Sequence, residues 1–506
     1  NAGATALTSK RLADLAVRID IFLRLRRRLG WSTQDLDAAL SAYAPGDSPW
    51  GDPLRTAIRR MSRQLQLADL VAHDGPQATL TGLWSPLARA TFQTMLGSGP
   101  LRDRDSVLVT PSGIPLEGVP LDTTVGSHLV ALQSATGLTA ADLAAILAVE
   151  GLSPESDLDR STVELLVRYA VVGGAVASAY DVGIADLVTL RRLSGVAAYG
   201  GGADADVLGQ VELCRKISES GLSVKEVALL VACSFDSEGE LRPDDTATSE
   251  AVTAVTAALA GVAVGTAEER DAARPILVKA VSAALGRPQA QVVDLLALPS
   301  LADGYLGLAS PGPDLAAAAR THELVGRVLL LIDRLQLDAR EVAEFGLAGL
   351  PAEEVAGQAP FLPTLVDLLD YVAVRDEAAG GSSELVTVLT TARGAGSAAD
   401  RLANALEVLA RLTRRTTDET TDVATSLKLN ADDLGKVTGL VRLWTALRLV
   451  SRSGVPAMTL AGWTAIAIEA TTLEDRRRIA QESRDALRTR TGVTAWPRVA
   501  APVNDR

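Results

Sequence analysis

The chain has 506 residues, of which 47% are hydrophobic but only 3% aromatic, enough for several ordinary domains or one extended array built from Ala- and Leu-rich helices rather than strands. A net charge of −13 argues against a nucleic-acid binder, because phosphate binding relies on Lys and Arg displacing counterions, and against an anionic membrane surface. Two cysteines, Cys214 and Cys233, make neither a disulfide framework nor a four-ligand zinc site and read as small buried apolar residues.

From the N-terminus, "NAGATALTSKRLADLAVRID" has no basic region followed by an apolar core, so no secretory leader is expected. Without an initiator Met, the sequence reads as an excerpt of a longer chain. Leu12, Leu15, Ile19, Phe22, Leu23 and Leu29 recur mostly at threes and fours, the spacing of an amphipathic helix. That helix stops at Gly30. Another restarts at once: "RLRRRLGWSTQDLDAAL" (24–40) passes through Trp31 and Ser32 to Asp35 and a fresh apolar run.

The same form returns in "QSATGLTAADLAAIL" (133–147), "ISESGLSVKEVALLV" (217–231), "DRLQLDAREVAEF" (333–345) and "SLKLNADDLGKV" (426–437), with a weaker copy in "AYDVGIADLVTL" (179–190). Gly30, Gly137 and Gly221 stand where a terminating helix favours a left-handed residue without a Cβ. Ser32, Thr139, Ser223, Asp338 and Asn430 are N-cap types whose oxygen accepts from a free backbone N–H. Asp35, Asp142, Glu226, Glu341 and Asp433 follow three residues later, where a carboxylate completes a capping box and suits the positive helix start. The apolar residue before each cap and the one four after it form a hydrophobic staple that sets the angle between the two helices. The spacing of the copies is irregular, unlike a fixed-period solenoid. The expected fold is therefore all-α: an irregular array of helical hairpins forming a shell-like wall, with little or no β structure.

Between the corners, Gly and Pro clusters mark loops at 41–53, 97–120, 310–314, 379–384 and in the final "AWPRVAAPVNDR". Only "SVLVT" (106–110) has strand character. Ser161 before Glu164 reads as another capping box. The uncharged stretch 251–267 is slightly short of a membrane span and only weakly apolar, and reads as a buried helix covered on all sides. The run Leu329, Leu330, Leu331, Ile332 within 324–335 is too wide for one buried stripe. A thin helical wall must cover such faces with another chain or a further part of its own, so exposed apolar surface or self-association is expected.

Catalytic signatures do not emerge. His322 opens "HELVGR" but lacks the second His of a zincin helix, and no phosphate loop, Gly-x-Ser-x-Gly or dinucleotide fingerprint occurs; "AAYGGGADAD" (197–206) reads as a flexible turn. The acidic "RPDD" near 242–245 lacks the spaced oxygens of a calcium loop and reads as solvated. Arg24, Arg26, Arg27 and Arg28 sit at a helix C-terminus, and Arg476, Arg477 and Arg478 lie among acids; both read as solvated helix faces, with inter-subunit pairing as the sharper alternative. The tryptophans read as core, with Trp496 anchoring the terminal loop. No cofactor or metal is expected. His128 and His322 titrate near neutrality, but two isolated imidazoles supply little free energy to a large wall, so a pH-sensing role is not expected of either.

The order of these segments resembles the α-helical shell region of the A subunit of insecticidal toxin complexes (Tc toxins). The landmarks are "RLRRRLGWSTQDLD", then "LWSPLARATFQTML" (83–96), similar to that family's tryptophan-containing segment before its first long loop. "VELLVRYAVVGGAV", "VGIADLVTLRRLSG", "GLSVKEVALLV" and "GELRPDD" follow. The last is "TAWPRVAAPVNDR", similar to the end of that region, where a further long helix starts. The likeness runs over nearly the whole chain. It implies a subunit of a pentamer whose helical shell surrounds a channel-forming bundle, in a virulence particle that attaches to cells and injects an enzyme carried by other subunits.

This chain would be a non-catalytic structural part of the shell. Its partners would be copies of itself or other subunits, with no nucleic acid and no membrane insertion by this segment. The particle would be secreted or at the cell surface, with assembly in the cytoplasm before release. The channel portion and the β-rich receptor-binding insertions of larger members are not expected within this segment. The implied organisation is an N-terminal helical shell segment (1–105), a Pro/Gly-rich connector (106–127), and a main helical segment (128–506) continuing beyond 506. The alternative is a stand-alone helical interaction scaffold attached to another bacterial secretion or injection apparatus.

Overall fold

The computed structural model describes residues 9–44, 52–73, 75, 78–84, 123–197, 199, 206–234, 241, 244–310, 312–378, 380–464 and 472–504. Among these the chain is all-α, with no strand and one isolated antiparallel bridge, Thr124 to Asp157. "SVLVT" lies outside the described residues, as does most of the expected connector. Two compact units form: Asn1–Ser218 with Arg498–Arg506, and Glu219–Pro497.

In the first unit, helices Thr33–Tyr43, Asp52–Leu70 and Ala78–Thr81 pack around Leu36, Met61, Leu67 and Leu80, all essentially inaccessible. The Tyr43 hydroxyl, buried with them, donates to Gln64 Oε1 at 2.7 Å, so its polar end is satisfied inside the core. Helix Arg160–Tyr180 is long and apolar enough to cross a membrane. Its apolarity is used inside the unit instead, where Val163, Leu166, Tyr169, Val172 and Val176 are buried. The same helix buries Arg168, which donates to the carbonyls of Gly82 (3.1 Å) and Tyr199 (3.2 Å) and faces Glu164 at 3.6 Å. Asp159, not Ser161, caps this helix by accepting from the Thr162 N–H at 2.7 Å. The expected box at Ser161 is thus displaced by two residues, because Asp is also a good cap and Glu164 is engaged by Arg160.

In the second unit, neighbours in sequence are mostly neighbours in space: Asp245–Leu259 packs on Ala267–Leu285, and Val386–Arg393 on Ala398–Thr413. A longer-range pairing sets Leu362–Ala378 against Val437–Ser453. The stretch 251–267 is not one buried helix. It ends the helix Asp245–Leu259, turns, and starts a second helix at Ala267. Only Ala251, Val252, Val255 and Leu259 of it are buried, a single stripe at helical spacing. Its other side is exposed Ala, Thr and Gly, which cost little in water because they carry so little apolar area.

The stripe at 324–335 also departs from expectation. Val325, Val328, Leu329, Leu331 and Leu335 are buried and Leu330 and Ile332 half-buried within this chain, since helix Leu315–Leu335 packs on both Pro299–Leu306 and Asp245–Leu259. The expected terminal loop is likewise helix. Leu473–Asn504 runs unbroken through Trp496 and Pro497, so Trp496 belongs to a helix and anchors no loop.

Candidate functional site

The five corners share one geometry. Gly30, Gly137 and Gly221 are left-handed, with φ of 71°, 74° and 72°. At the two corners without glycine, Gln336 (φ 53°) and Lys428 (φ 55°) take that strained conformation. Each cap oxygen then accepts from the backbone N–H three residues on: Ser32 from Asp35 (3.0 Å), Thr139 from Asp142 (3.1 Å), Ser223 from Glu226 (3.1 Å), Asp338 from Glu341 (3.0 Å) and Asn430 from Asp433 (2.9 Å). The carboxylates of Asp142, Glu226, Glu341 and Asp433 accept in return from the cap N–H, at 2.8 to 3.2 Å. Asp35 instead accepts from the Ser32 hydroxyl at 2.7 Å. The staple pairs Trp31/Leu36, Leu138/Leu143, Leu222/Val227, Leu337/Val342 and Leu429/Leu434 are all at most 7% exposed. In the weaker copy, Asp186 accepts from the Gly183 N–H at 3.1 Å, and Gly183 has no side chain to return the bond.

Three of these first turns also hold a guanidinium from another helix. Glu226 accepts from Arg334 at 2.7 Å. Glu341 accepts from Arg375 at 3.1 Å, and Arg375 also donates to the carbonyls of Leu335 (2.9 Å) and Gln336 (3.1 Å). Asp432 accepts from Arg401 at 3.1 Å. A cap is legible in sequence because its partners lie three residues apart. These ion pairs join residues 31 to 108 apart, and no local signal names the partner. Sequence reasoning also missed the box Thr266/Glu269, hidden by the reading of 251–267 as one helix, and the caps Ser397/Asp400 and Thr416/Glu419.

The polar groups that might have carried chemistry are dispersed. Among the described residues no three His, Cys, Asp or Glu side chains gather as metal ligands. His128 Nε2 lies 2.6 Å from Thr123 Oγ1, and His322 Nδ1 lies 2.9 Å from the Tyr305 hydroxyl. Burial pushes the His322 imidazole below its ordinary value. Burial also raises both thiols, Cys214 to about 12, which removes the thiolate that a nucleophile needs. The acidic segment near 244 is a helix start: Asp244 accepts from Thr246 N–H at 2.9 Å. Arg478 pairs with Glu482 (3.0 Å) and Asp475 (3.7 Å) along one helix face.

Two concavities stand out among the described residues. One is a mixed polar and apolar cleft beside Val262, Leu306 and the ion pair Arg270–Asp303 (3.5 Å). The other is an almost wholly apolar groove of about 270 Å³ along helix Ser9–Leu29, floored by Phe22, Leu25, Leu40 and Leu54.

This array of capped corners has the fold of the helical region in Tc toxin A subunits, so the resemblance carried by the order of sequence segments is also one of fold. The particular structure it is similar to is that of Morganella morganii TcdA4, with 14% identity and a TM-score of 0.58, over 97% of this chain and 22% of that one. The chain thus spans about a fifth of that subunit's length. Yersinia pseudotuberculosis TcaA-TcaB is similar more loosely, with 14% identity and a TM-score of 0.48 over 90% of this chain and 25% of that one. No protein-family model matches the sequence, and no curated protein does.

Proposed function

We propose that the chain is a non-catalytic segment of the helical shell of a Tc-toxin-A-like subunit, which assembles with copies of itself into a toxin-delivery particle. The observation that carries this reading is the likeness of fold to TcdA4 over 97% of the chain. The organisation of the molecule agrees with a mechanical role. Its repeated geometry lies at the corners, where capping boxes, staples and crossed Arg–carboxylate pairs fix the angle at which one hairpin leaves the last. We take the corner residues Gly30, Gly137 and Gly221, with their caps and carboxylates, to be the functional positions in this sense: they hold the shape of the wall. The pentameric state, the secreted or cell-surface location and the delivered enzyme come to this chain by resemblance alone.

A second reading is a stand-alone helical scaffold. What favours it is the coverage of the 324–335 stripe within this chain, which leaves that face no need of a partner. The two are separated by the mass of the product of the complete natural reading frame. A particle of several copies is expected for the shell segment. A single-copy product with no further helical region would overturn it in favour of the scaffold.

A further inference from the structure

Helix Ser9–Leu29 carries seven basic against two acidic side chains, a net +5 in a chain whose net charge is −13. Arg26, Arg27 and Arg28 lie exposed in its last two turns, and among the described residues no ion pair engages them. Alongside them the helix shows Leu15, Ile19 and Leu23, four residues apart and so on one face, at 45, 51 and 38% exposure. Ile19 and Leu23 form the lip of the apolar groove. Large aliphatics left open beside a cluster of unpaired cations mark a surface that associates.

We propose that this helix is a joint onto the acidic surface of a second copy of the chain. The groove gives the contact its apolar centre, and the arginines give it a charged rim. The complementary charge is present elsewhere on the same chain, in exposed first-turn acids such as Glu268 and Asp418. A symmetric pairing of two such helices would set arginines against arginines, so the joint is heterologous: the basic helix of one copy meets an acidic face of the next, the arrangement that closes rings. A lipid surface fits less well. The floor is a concave groove, and the rest of the chain is acidic enough to be repelled by anionic headgroups. The proposal rests on the assembly reading above in that both require copies to meet.

Sedimentation velocity of the chain over a range of concentrations, at about 0.05 and about 0.5 M salt, tests it. The expected result is a mass that rises with concentration and falls back at high salt. Ile19→Asp with Leu23→Asp, and separately Arg26→Glu with Arg27→Glu and Arg28→Glu, are each expected to weaken association roughly tenfold or more. Val130→Asp, at a residue 67% exposed elsewhere in the same unit, is expected to leave it unchanged. A wild-type chain that sediments as a single copy throughout overturns the joint. So does a single-copy chain that pellets with phosphatidylserine vesicles. Association that survives both sets of substitutions overturns the joint while leaving assembly standing, with the contact elsewhere.

Discussion

Arg375→Met isolates what a crossed ion pair contributes to a corner. The Arg375 and Glu341 side chains are 3% and 0% exposed. The guanidinium donates to Glu341, to the Leu335 and Gln336 carbonyls that end one helix, and to Asp376 at 2.9 Å. Methionine fills similar volume but supplies no donor. Glu341 would stay buried without its cation, and two helix-end carbonyls would lose a partner. Breaking a buried pair on one side costs about 3–5 kcal/mol, most of it the stranded charge. Adding Glu341→Gln removes that charge while keeping an oxygen for the Asp338 N–H, and is expected to recover about 1–3 kcal/mol. Arg334→Met is the control. Its partner Glu226 is also buried, but Arg334 is 49% exposed, so water can replace it and the loss should be about 1 kcal/mol or less. Denaturant melts, with hydrogen exchange of the amides in helix Ala339–Glu344, give both values. If Arg375→Met and Arg334→Met cost the same within about 0.5 kcal/mol, burial does not decide the strength of these pairs and the reasoning fails.

Ser223→Ala should cost about 1 kcal/mol in the same melts, with the amides of helix Val224–Ala232 exchanging faster. Gln336→Gly and Lys428→Gly should each stabilise by up to about 1 kcal/mol by relieving a left-handed side chain, whereas Gly137→Ala, at φ 74°, should destabilise by a similar amount. Gly439→Ala should cost about 2–3 kcal/mol, because its Cβ would land on the backbone oxygen of Asp433, which has no flexible side chain to yield. For His322 the folded state favours the neutral ring, so its contribution is present above the ordinary value of 6.5 and is lost as pH falls below it. Melting temperatures followed downward through that window should drop less in His322→Gln than in the wild type.

What the sequence revealed was what is local. Ser223 and Glu226, or Asp338 and Glu341, are close in sequence and in space, so a corner declares itself in six residues. Gln336 and Lys428 show the limit: the left-handed position is required by the turn, and a side chain there is tolerated because the staple and the box over-determine it. The stretch 251–267 misled because Ala, Thr and Gly are uncharged without being strongly apolar, and absence of charge is not burial. The terminal "AWPRVAAPVN" misled because two prolines outweighed the helical signal of their neighbours. Which Arg crosses to which carboxylate, and which apolar face stays open at Ile19 and Leu23, depend on how distant helices are placed. Those features had no sequence signal to read.

Cryo-electron microscopy of the product of the complete natural reading frame tests the shell assignment most directly. The account predicts a particle of several copies in which the helical hairpins of this chain belong to the outer wall, with helix Ser9–Leu29 of one copy lying against its neighbour. A map in which this segment extends from a single-copy protein, touching no second copy, would contradict it.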